Sequence, residues 1–509
     1  MDNDQHNQTQ VPSRQGAARS AAWNYAGYAY QIAINFGLTA YIVRHISVAE
    51  YGLFLLVMSL SATLNLLDLG ISGVLVQSYV YALKKGTSEH FNDLISTALV
   101  ALGGLGTVGT ALFCGLALLL PGPFRIPKPL LHEASLIFLI AALVVQVRLP
   151  AVALRQAYQA HHRFDRINQL QLIATTIQTI LSVYVLYAGY GIVALAVVQL
   201  ITAVIQFGMF FAGLPLVIPG IRVSLLRFRG KLLGSLMVEG KWAFMANVTG
   251  YLVEMATWGI LGSFGSMTEV ALYGIAFKAP NQLWNLADKG ADVLLPVLSE
   301  YSAEEDRANL RRVFLKTQQL IFGAVLPFVI LGSFFATPLL HLWVGMQYLH
   351  ASVAMRWLLV GVLAHAVAYS SDLLFYACGK VKRATWISLA GGAATVGGSI
   401  LLVPHYGAAG MAASFAVSLL VVDCGWFTME ACNLSHTSVR ALVKGLVNGL
   451  GLPLLVLIAE IALILSLHSV LSPLWTVLAA TASGCVYFML WGVRTALPLY
   501  RNRAEFVAE

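Results

Sequence analysis

The chain has 509 residues, of which 58% are hydrophobic and only 11% charged, and its formal net charge is +8 at neutral pH. A soluble domain carries roughly 25% charged residues, so the composition excludes a soluble enzyme and predicts an all-α, polytopic membrane protein. In a soluble protein the positive excess would suggest nucleic acid; here its distribution along the chain reads as membrane topology.

Residues 1–18 are polar and lack an apolar core with a small-residue cleavage site, so they read as a cytoplasmic tail and not a cleaved signal. Apolar runs then predict helices at 19–45, 50–82, 94–120, 133–159, 167–188, 191–217, 235–262, 268–298, 312–344, 352–378, 383–403, 407–432, 443–467 and 472–495. Each approaches or exceeds the roughly 20 residues that a helix needs to cross a hydrocarbon core. With both ends inside, the inner segments hold 23 of the 31 Lys and Arg, whereas the outer loops hold only Arg44, Arg125 and Lys128. That asymmetry places both termini in the cytoplasm and leaves little excess charge for a nucleic-acid surface.

An internal repeat is visible. Val48-Ala49-Glu50-Tyr51-Gly52 recurs as Val270-Ala271-Leu272-Tyr273-Gly274, and Asn65 to Gly70 recurs as Asn285 to Gly290, at offsets of 222 and 220. Tyr158 pairs with Tyr376 at offset 218, and Tyr190-Gly191 with Tyr406-Gly407 at 216. The pattern predicts two six-helix lobes, 19–217 and 235–432, joined by a cytoplasmic linker at 218–234 and followed by two further helices and a tail at 433–509. An even number of helices per lobe gives both copies one orientation, as in transporters whose halves rock about a cavity.

Several motifs are set aside. Gly104 to Gly109 satisfies G-x-G-x-x-G but lies inside an apolar helix with no preceding strand, so it reads as close helix packing. No phosphate-cradling G-x-x-x-x-G-K-[ST] occurs. Asp2-Asn3-Asp4 and His161-His162 have no companions for a metal, and the five cysteines lack paired spacing and read as small apolar fillers. No cofactor is expected.

Polar stripes at helical spacing carry the functional reading, because such a face cannot point at lipid. The 268–298 segment bears Lys278, Asn281, Gln282, Asn285, Asp288, Lys289 and Asp292 on one face. The 133–159 segment bears Arg148, Val152, Arg155 and Gln159, with Pro150 removing an amide between the arginines. The 352–378 segment bears His365, Tyr369, Asp372 and Tyr376, with Arg356 near its outer end, and Gln31 and Asn35 dot the first helix. Arg148, Lys278, Arg356 and Lys289 are the candidate cationic substrate contacts; Asn281, Gln282, Asn285, Asn35 and Gln31 are candidate polar cavity lining. Glu254, deep in 235–262, and Asp372 are candidate ion-coupling acids, because a buried carboxylate without a cation titrates. Asp68 with Gly70, and Asp288 with Gly290, sit near the inner helix ends and read as duplicated structural joints. No catalytic or metal-binding residue is assigned.

The motifs Glu50-Tyr51-Gly52-Leu53-Phe54, Leu67-Asp68-Leu69-Gly70-Ile71-Ser72 and Tyr158-Gln159-Ala160, followed by Arg163-Phe164-Asp165 and Asn168, resemble the polysaccharide flippase branch of the multidrug/oligosaccharidyl-lipid/polysaccharide exporter superfamily, the Wzx-type O-antigen and exopolysaccharide transporters. The resemblance covers effectively the whole chain. It implies alternating-access transfer of an undecaprenyl-diphosphate-linked oligosaccharide from the cytoplasmic to the outer leaflet for surface polysaccharide synthesis. It also implies coupling to protons or sodium, a monomer among membrane lipids, and polymerase or assembly proteins as candidate partners. The alternatives are a small-molecule cation antiporter of the same superfamily, and a membrane glycosyltransferase or polymerase, which the short outer loops disfavour.

Overall fold

The computed structural model describes residues 14–85, 88–119, 123–218, 220–292, 295–304, 306–448, 450–467 and 471–496. The first thirteen residues of the expected tail lie outside this set, and Arg14 already opens α1 (Arg14–His45). The chain continues as α2 (Val48–Thr63), α3 (Ile71–Lys85), α4 (Ser88–Leu119), α5 (Leu131–Ala160), α6 (Phe164–Tyr187), α7 (Gly191–Val217), α8 (Gly230–Phe264) and α9 (Met267–Asp292). Then follow α10 (Leu295–Ala303), α11 (Arg307–Phe334), α12 (Ala336–Val344), α13 (Ala351–Ala377), α14 (Val381–Ser418), α15 (Thr428–Leu434), α16 (Val439–Val447), α17 (Gly451–Ser466) and α18 (Pro473–Trp491).

Among the described residues each of the fourteen expected stretches is mainly helical, with interruptions such as that within 50–82. Among the described residues nine helical segments are long and apolar enough to cross a membrane, or ten if the bent pair α16 and α17 forms one span. One of the nine, Val381–Leu434, holds two expected spans, because Gly407 at φ 53° turns the chain within it. The remaining three expected spans, α1, α8 and α9, are helical but not among these segments.

The chain forms two compact units, Met1–Ser47 with Leu64–Leu119 and His132–Met245, and Val48–Thr63 with Leu120–Leu131 and Ala246–Glu509. These do not follow the lobe boundaries drawn from the repeat, since α2 groups with the second unit. The reason is local: α2 and α9 meet through their repeated Tyr-Gly pairs. A Cβ on Gly52 would overlap the Met267 backbone carbonyl, so only glycine allows so close an approach there, and Gly274 packs against the Leu55 side chain. Tyr51 meets Tyr348 edge-on at 6.4 Å in the same unit.

The expected 50–82 helix is therefore broken. After a 3-10 turn over Leu64–Asp68, Leu69 and Gly70 take positive φ of 51° and 80°, which ends the α-helical ladder. The Asp68 carboxylate accepts from the Gly70 N–H at 2.8 Å and from the Ser72 hydroxyl, supplying partners to the start of α3. Gly70 also lies against α8 so closely that a Cβ would overlap the Gly240 carbonyl. The repeat partner behaves differently: α9 runs on through Asp288 and Gly290 to Asp292, so the expected second joint is not a break of this kind.

The first unit's core gathers Tyr79, Phe91, Ile95, Leu102, Leu154, Tyr158 and Phe210. The linker is strapped to the first turns of α4. Asn92, Ser96 and Thr97 side chains accept from the backbone N–H groups of Arg222, Ser224 and Arg229 at 3.0–3.2 Å, and Asp93 pairs with Arg227 and Arg229. In the second unit α17 and α18 bury Leu457, Ile461, Tyr487 and Trp491 with Leu326 and Phe335, so the appended helices are part of that unit's core. Tyr487 donates to the Gly323 carbonyl at 3.1 Å. Asp306 caps α11, accepting from the Asn309 N–H at 3.0 Å, which holds its carboxyl below the usual range.

The two units share a motif in a common register. At the end of α5 the N–H groups of His161, His162 and Arg163 bond the carbonyls of Ala157, Gln159 and Tyr158; at the end of α13 those of Cys378, Gly379 and Lys380 bond Leu374, Tyr376 and Phe375. Every donor and acceptor is displaced by 217 residues. The rings agree, Tyr158 against Phe210 at 5.4 Å and Phe375 against Phe427 at 4.9 Å. Tyr158 thus corresponds to Phe375, one residue before the Tyr376 that residue identity suggested.

Candidate functional site

Within the second unit α8, α9, α13, α14 and the π-helical segment Leu419–Phe427 enclose a cavity of about 810 Å³. Among the described residues four carboxylates line it: Glu254 from α8, Asp288 from α9, Asp372 from α13 and Asp423 from the π-helical segment. The wall opposite in character is aromatic, with Trp258, Tyr273, Trp284, Tyr369 and Phe415. Glycine sets the spacing at one point here: a Cβ on Gly392 would stand 2.9 Å from Val253 of α8. The i+5 winding of Leu419–Phe427 shifts its side chains relative to an α-helix, a device common at functional sites, and it presents Asp423 to the cavity.

His365 is the most constrained polar group in this wall. Its Nε2 lies 2.7 Å from Asp288 Oδ1 and donates to that carboxylate, and its ring stacks on Trp284 with centroids 3.5 Å apart and 13° between planes. Tyr369, one turn on, brings its ring to 5.3 Å from the imidazole. Asn281 completes the polar face that α9 contributes. The net chemistry is that of a cation receptor: carboxylate oxygens and aromatic faces attract positive charge, and among the described residues no Lys or Arg lines the cavity. Among the described residues no three His, Cys, Asp or Glu side chains converge as a metal-ligand set.

The positions equivalent by the 217-residue register form a different surface in the first unit. His365 corresponds to Arg148, Tyr369 to Val152, Asp372 to Arg155, Tyr376 to Gln159 and Asp423 to Gln206. The two stripes legible in the sequence are therefore one structural face occurring twice, cationic on α5 and acidic on α13. Arg148 and Arg155 are exposed, and Arg148 donates to Gln199 Oε1 at 3.3 Å. Gln206 donates to Gln171 at 2.7 Å, where the second unit has Asp423 and Ser388 facing its cavity.

The cationic set expected to line one cavity is thus distributed. Arg148 belongs to the first unit, and neither Lys278 nor Arg356 is among the residues lining the acidic cavity. Lys278 is half-buried on α9. Arg356, near the start of α13, donates to the Ser333 carbonyl at 3.0 Å and to Thr337 at 3.3 Å, tying that end of the helix to α11 and α12. The Lys289 side chain lies outside the described residues. Of the polar candidates Asn281 reaches the cavity, whereas Gln282 and Asn285 are half-buried elsewhere on α9. Gln31 and Asn35 belong to α1 of the first unit, and the Asn35 carbonyl accepts from Thr39 at 2.7 Å. Glu254 and Asp372 both face the cavity. Sequence reasoning missed Asp423, although an acid in the apolar 407–432 stretch was itself a signal. It also missed Trp284, whose role as the face beneath His365 depends on packing between helices far apart in sequence.

Residues 41–353 match the model of a family described as polysaccharide biosynthesis protein. An uncharacterized membrane protein EpsK of Bacillus subtilis (strain 168) is 22% identical over 442 residues, covering 84% of this chain and 85% of its own length. Among solved structures, the lipid II flippase MurJ in an inward closed conformation aligns with a TM-score of 0.70 at 13% identity, covering 94% of this chain and 98% of that one. An inward-facing multidrug resistance MATE family transporter of the MOP superfamily aligns with a TM-score of 0.65 at 16% identity, over 80% and 96% of the two chains. The fold is that of these transporters.

Proposed function

The chain belongs to the polysaccharide biosynthesis protein family, and from that premise we propose that it flips an undecaprenyl-diphosphate-linked oligosaccharide from the cytoplasmic to the outer leaflet, drawing on a proton or sodium gradient. The observation that carries this reading is the division of charge over one repeated face. Arg148 and Arg155 on α5 offer guanidinium groups suited to diphosphate or acidic sugar oxygens, while Glu254, Asp288, Asp372 and Asp423 offer a separate receptor for a cation. Loading the acidic cavity and loading the cationic face are then two events on different groups. A cation bound more tightly in one conformation than the other shifts the equilibrium between them, which is the physical requirement for coupling.

The fold of the solved transporters and the family match support membrane transport in polysaccharide biosynthesis; the lipid-linked substrate, the direction and the coupling ion belong to this proposal. Orientation with both termini in the cytoplasm rests on the distribution of Lys and Arg. The test is reconstitution of the full chain in liposomes containing a lipid-linked oligosaccharide, scoring its transfer between leaflets with and without an imposed proton or sodium gradient. Gradient-stimulated transfer is expected. Transfer at the rate of protein-free liposomes under either gradient overturns the reading.

One observation favours a second reading, export of a small organic cation. A cavity of acids faced by Trp284, Tyr369 and Phe415 would hold a flat aromatic cation by charge and cation-π attraction. Uptake of such a cation into the same liposomes, with no oligosaccharide transfer, would replace the first reading by the second.

A further inference from the structure

Outside the cavity one short helix is built as a surface. α16 buries Leu442 and Leu446 against α11 and leaves Val439, Val443 and Val447, one turn apart, at 48%, 52% and 56% exposure. Beside the valines run Arg440 and Lys444, four residues apart and both exposed. Both ends are held: Ser438 Oγ accepts from the Ala441 N–H at 3.2 Å, and Gln319 of α11 donates to the Asn448 carbonyl at 2.6 Å. The helix then bends by 58° into the membrane span α17. Along it lies an open groove of about 570 Å³, lined by the three valines, Arg440, Lys444 and Asn448.

We propose that this face of α16 is a binding site for an anionic phospholipid of the cytoplasmic leaflet. The phosphodiester would sit between Arg440 and Lys444, and the upper acyl segments along Val439, Val443 and Val447. The argument is one of matched chemistry. A free phosphate would satisfy the two cations and leave the valine stripe in water, and a neutral lipid would cover the valines without engaging the cations. An anionic lipid covers both. The bend sets α16 apart from the direction of the following span, the arrangement expected of a helix lying at a headgroup boundary. Both cations belong to the inner set of Lys and Arg, which assigns the leaflet. The inference is independent of what the protein transports.

The test uses the purified full chain in detergent, titrated with phosphatidylglycerol or with phosphatidylcholine of the same acyl chains, and read by native mass spectrometry. The wild type is expected to retain phosphatidylglycerol in preference. Arg440→Gln or Lys444→Gln should each weaken that retention about 5-fold, and the double variant about 30-fold, with phosphatidylcholine retention unchanged. Val443→Asn should lower retention of both lipids. Added salt should weaken phosphatidylglycerol binding to the wild type, a readout that needs no variant. Equal retention of the two lipids by the wild type, or retention untouched by the double substitution, overturns the proposal. So does displacement of the lipid by inorganic phosphate where chloride at the same ionic strength leaves it bound, which would identify a site for a small anion.

Discussion

Between Tyr158 and Arg163 in one unit, and between Phe375 and Lys380 in the other, the chain closes a helix with the same three backbone hydrogen bonds and the same ring pair. The faces leading into these turns nevertheless carry Arg148 and Arg155 in the first unit and His365 and Asp372 in the second. The comparison separates what a repeat must keep from what it can change. Backbone carbonyls at a helix end have to be satisfied wherever the helix occurs, so the turn is retained. A side chain on a wet face has no such obligation, and its charge can follow the ligand.

The comparison can be broken by making the two faces alike. Asp372→Arg gives α13 the residue that α5 carries at the same register and places a fixed cation beside Asp423 and Glu254. We expect gradient stimulation of transfer to fall roughly 100-fold, or about 3 kcal/mol, in the liposome assay. Persistent stimulation in that variant would show that the cavity does not host the coupling ion.

Next in size is the joint that one unit has and its repeat partner lacks. Gly70→Ala should lower stability by about 2 kcal/mol or more, because Gly70 has φ 80° and lies against the Gly240 carbonyl. Thermal unfolding of the purified protein measures this, and an unchanged midpoint would mean that the joint relaxes freely.

On the cationic face, Arg148→Ala should reduce oligosaccharide transfer about tenfold, near 1.4 kcal/mol, the scale of one hydrogen bond to a charged group, while insertion and melting temperature stay unchanged. The same loss in gradient-driven and gradient-free transfer would place Arg148 on the substrate; a loss confined to the gradient-driven rate would move it to coupling.

The smallest effect sharpens the register itself. Tyr158 donates to the buried Phe210 carbonyl at 2.9 Å, whereas its counterpart Phe375 has no hydroxyl. Tyr158→Phe should therefore cost about 1 kcal/mol, measured by thermal unfolding. If instead Tyr158→Phe is neutral, the hydroxyl adds nothing to a turn that both units already stabilise.

Much of this site was legible as spacing. Polar residues three, four and seven apart in apolar runs identified the stripes on α5, α9 and α13, and the lone acids Glu254 and Asp372 stood out as costly in hydrocarbon. The register was less legible, since matching identical residues paired Tyr158 with Tyr376, while the hydrogen bonds pair Tyr158 with Phe375. Asp423 escaped because its presentation depends on π-helical winding, and Trp284 because stacking on His365 joins helices about eighty residues apart.

The sequence by itself determined that the chain is helical and membrane-spanning and which helix faces are polar. These follow from burial of apolar residues and from periodicity, both of which are local. Only the tertiary structure decided that α2 joins the second unit and that Arg148 and His365 occupy one repeated position. It also decided that the acids gather in a cavity whose described lining includes none of Lys278, Arg148 and Arg356. Those outcomes depend on which helices approach closely enough to share a wall, and a stripe of polar residues does not state its partner.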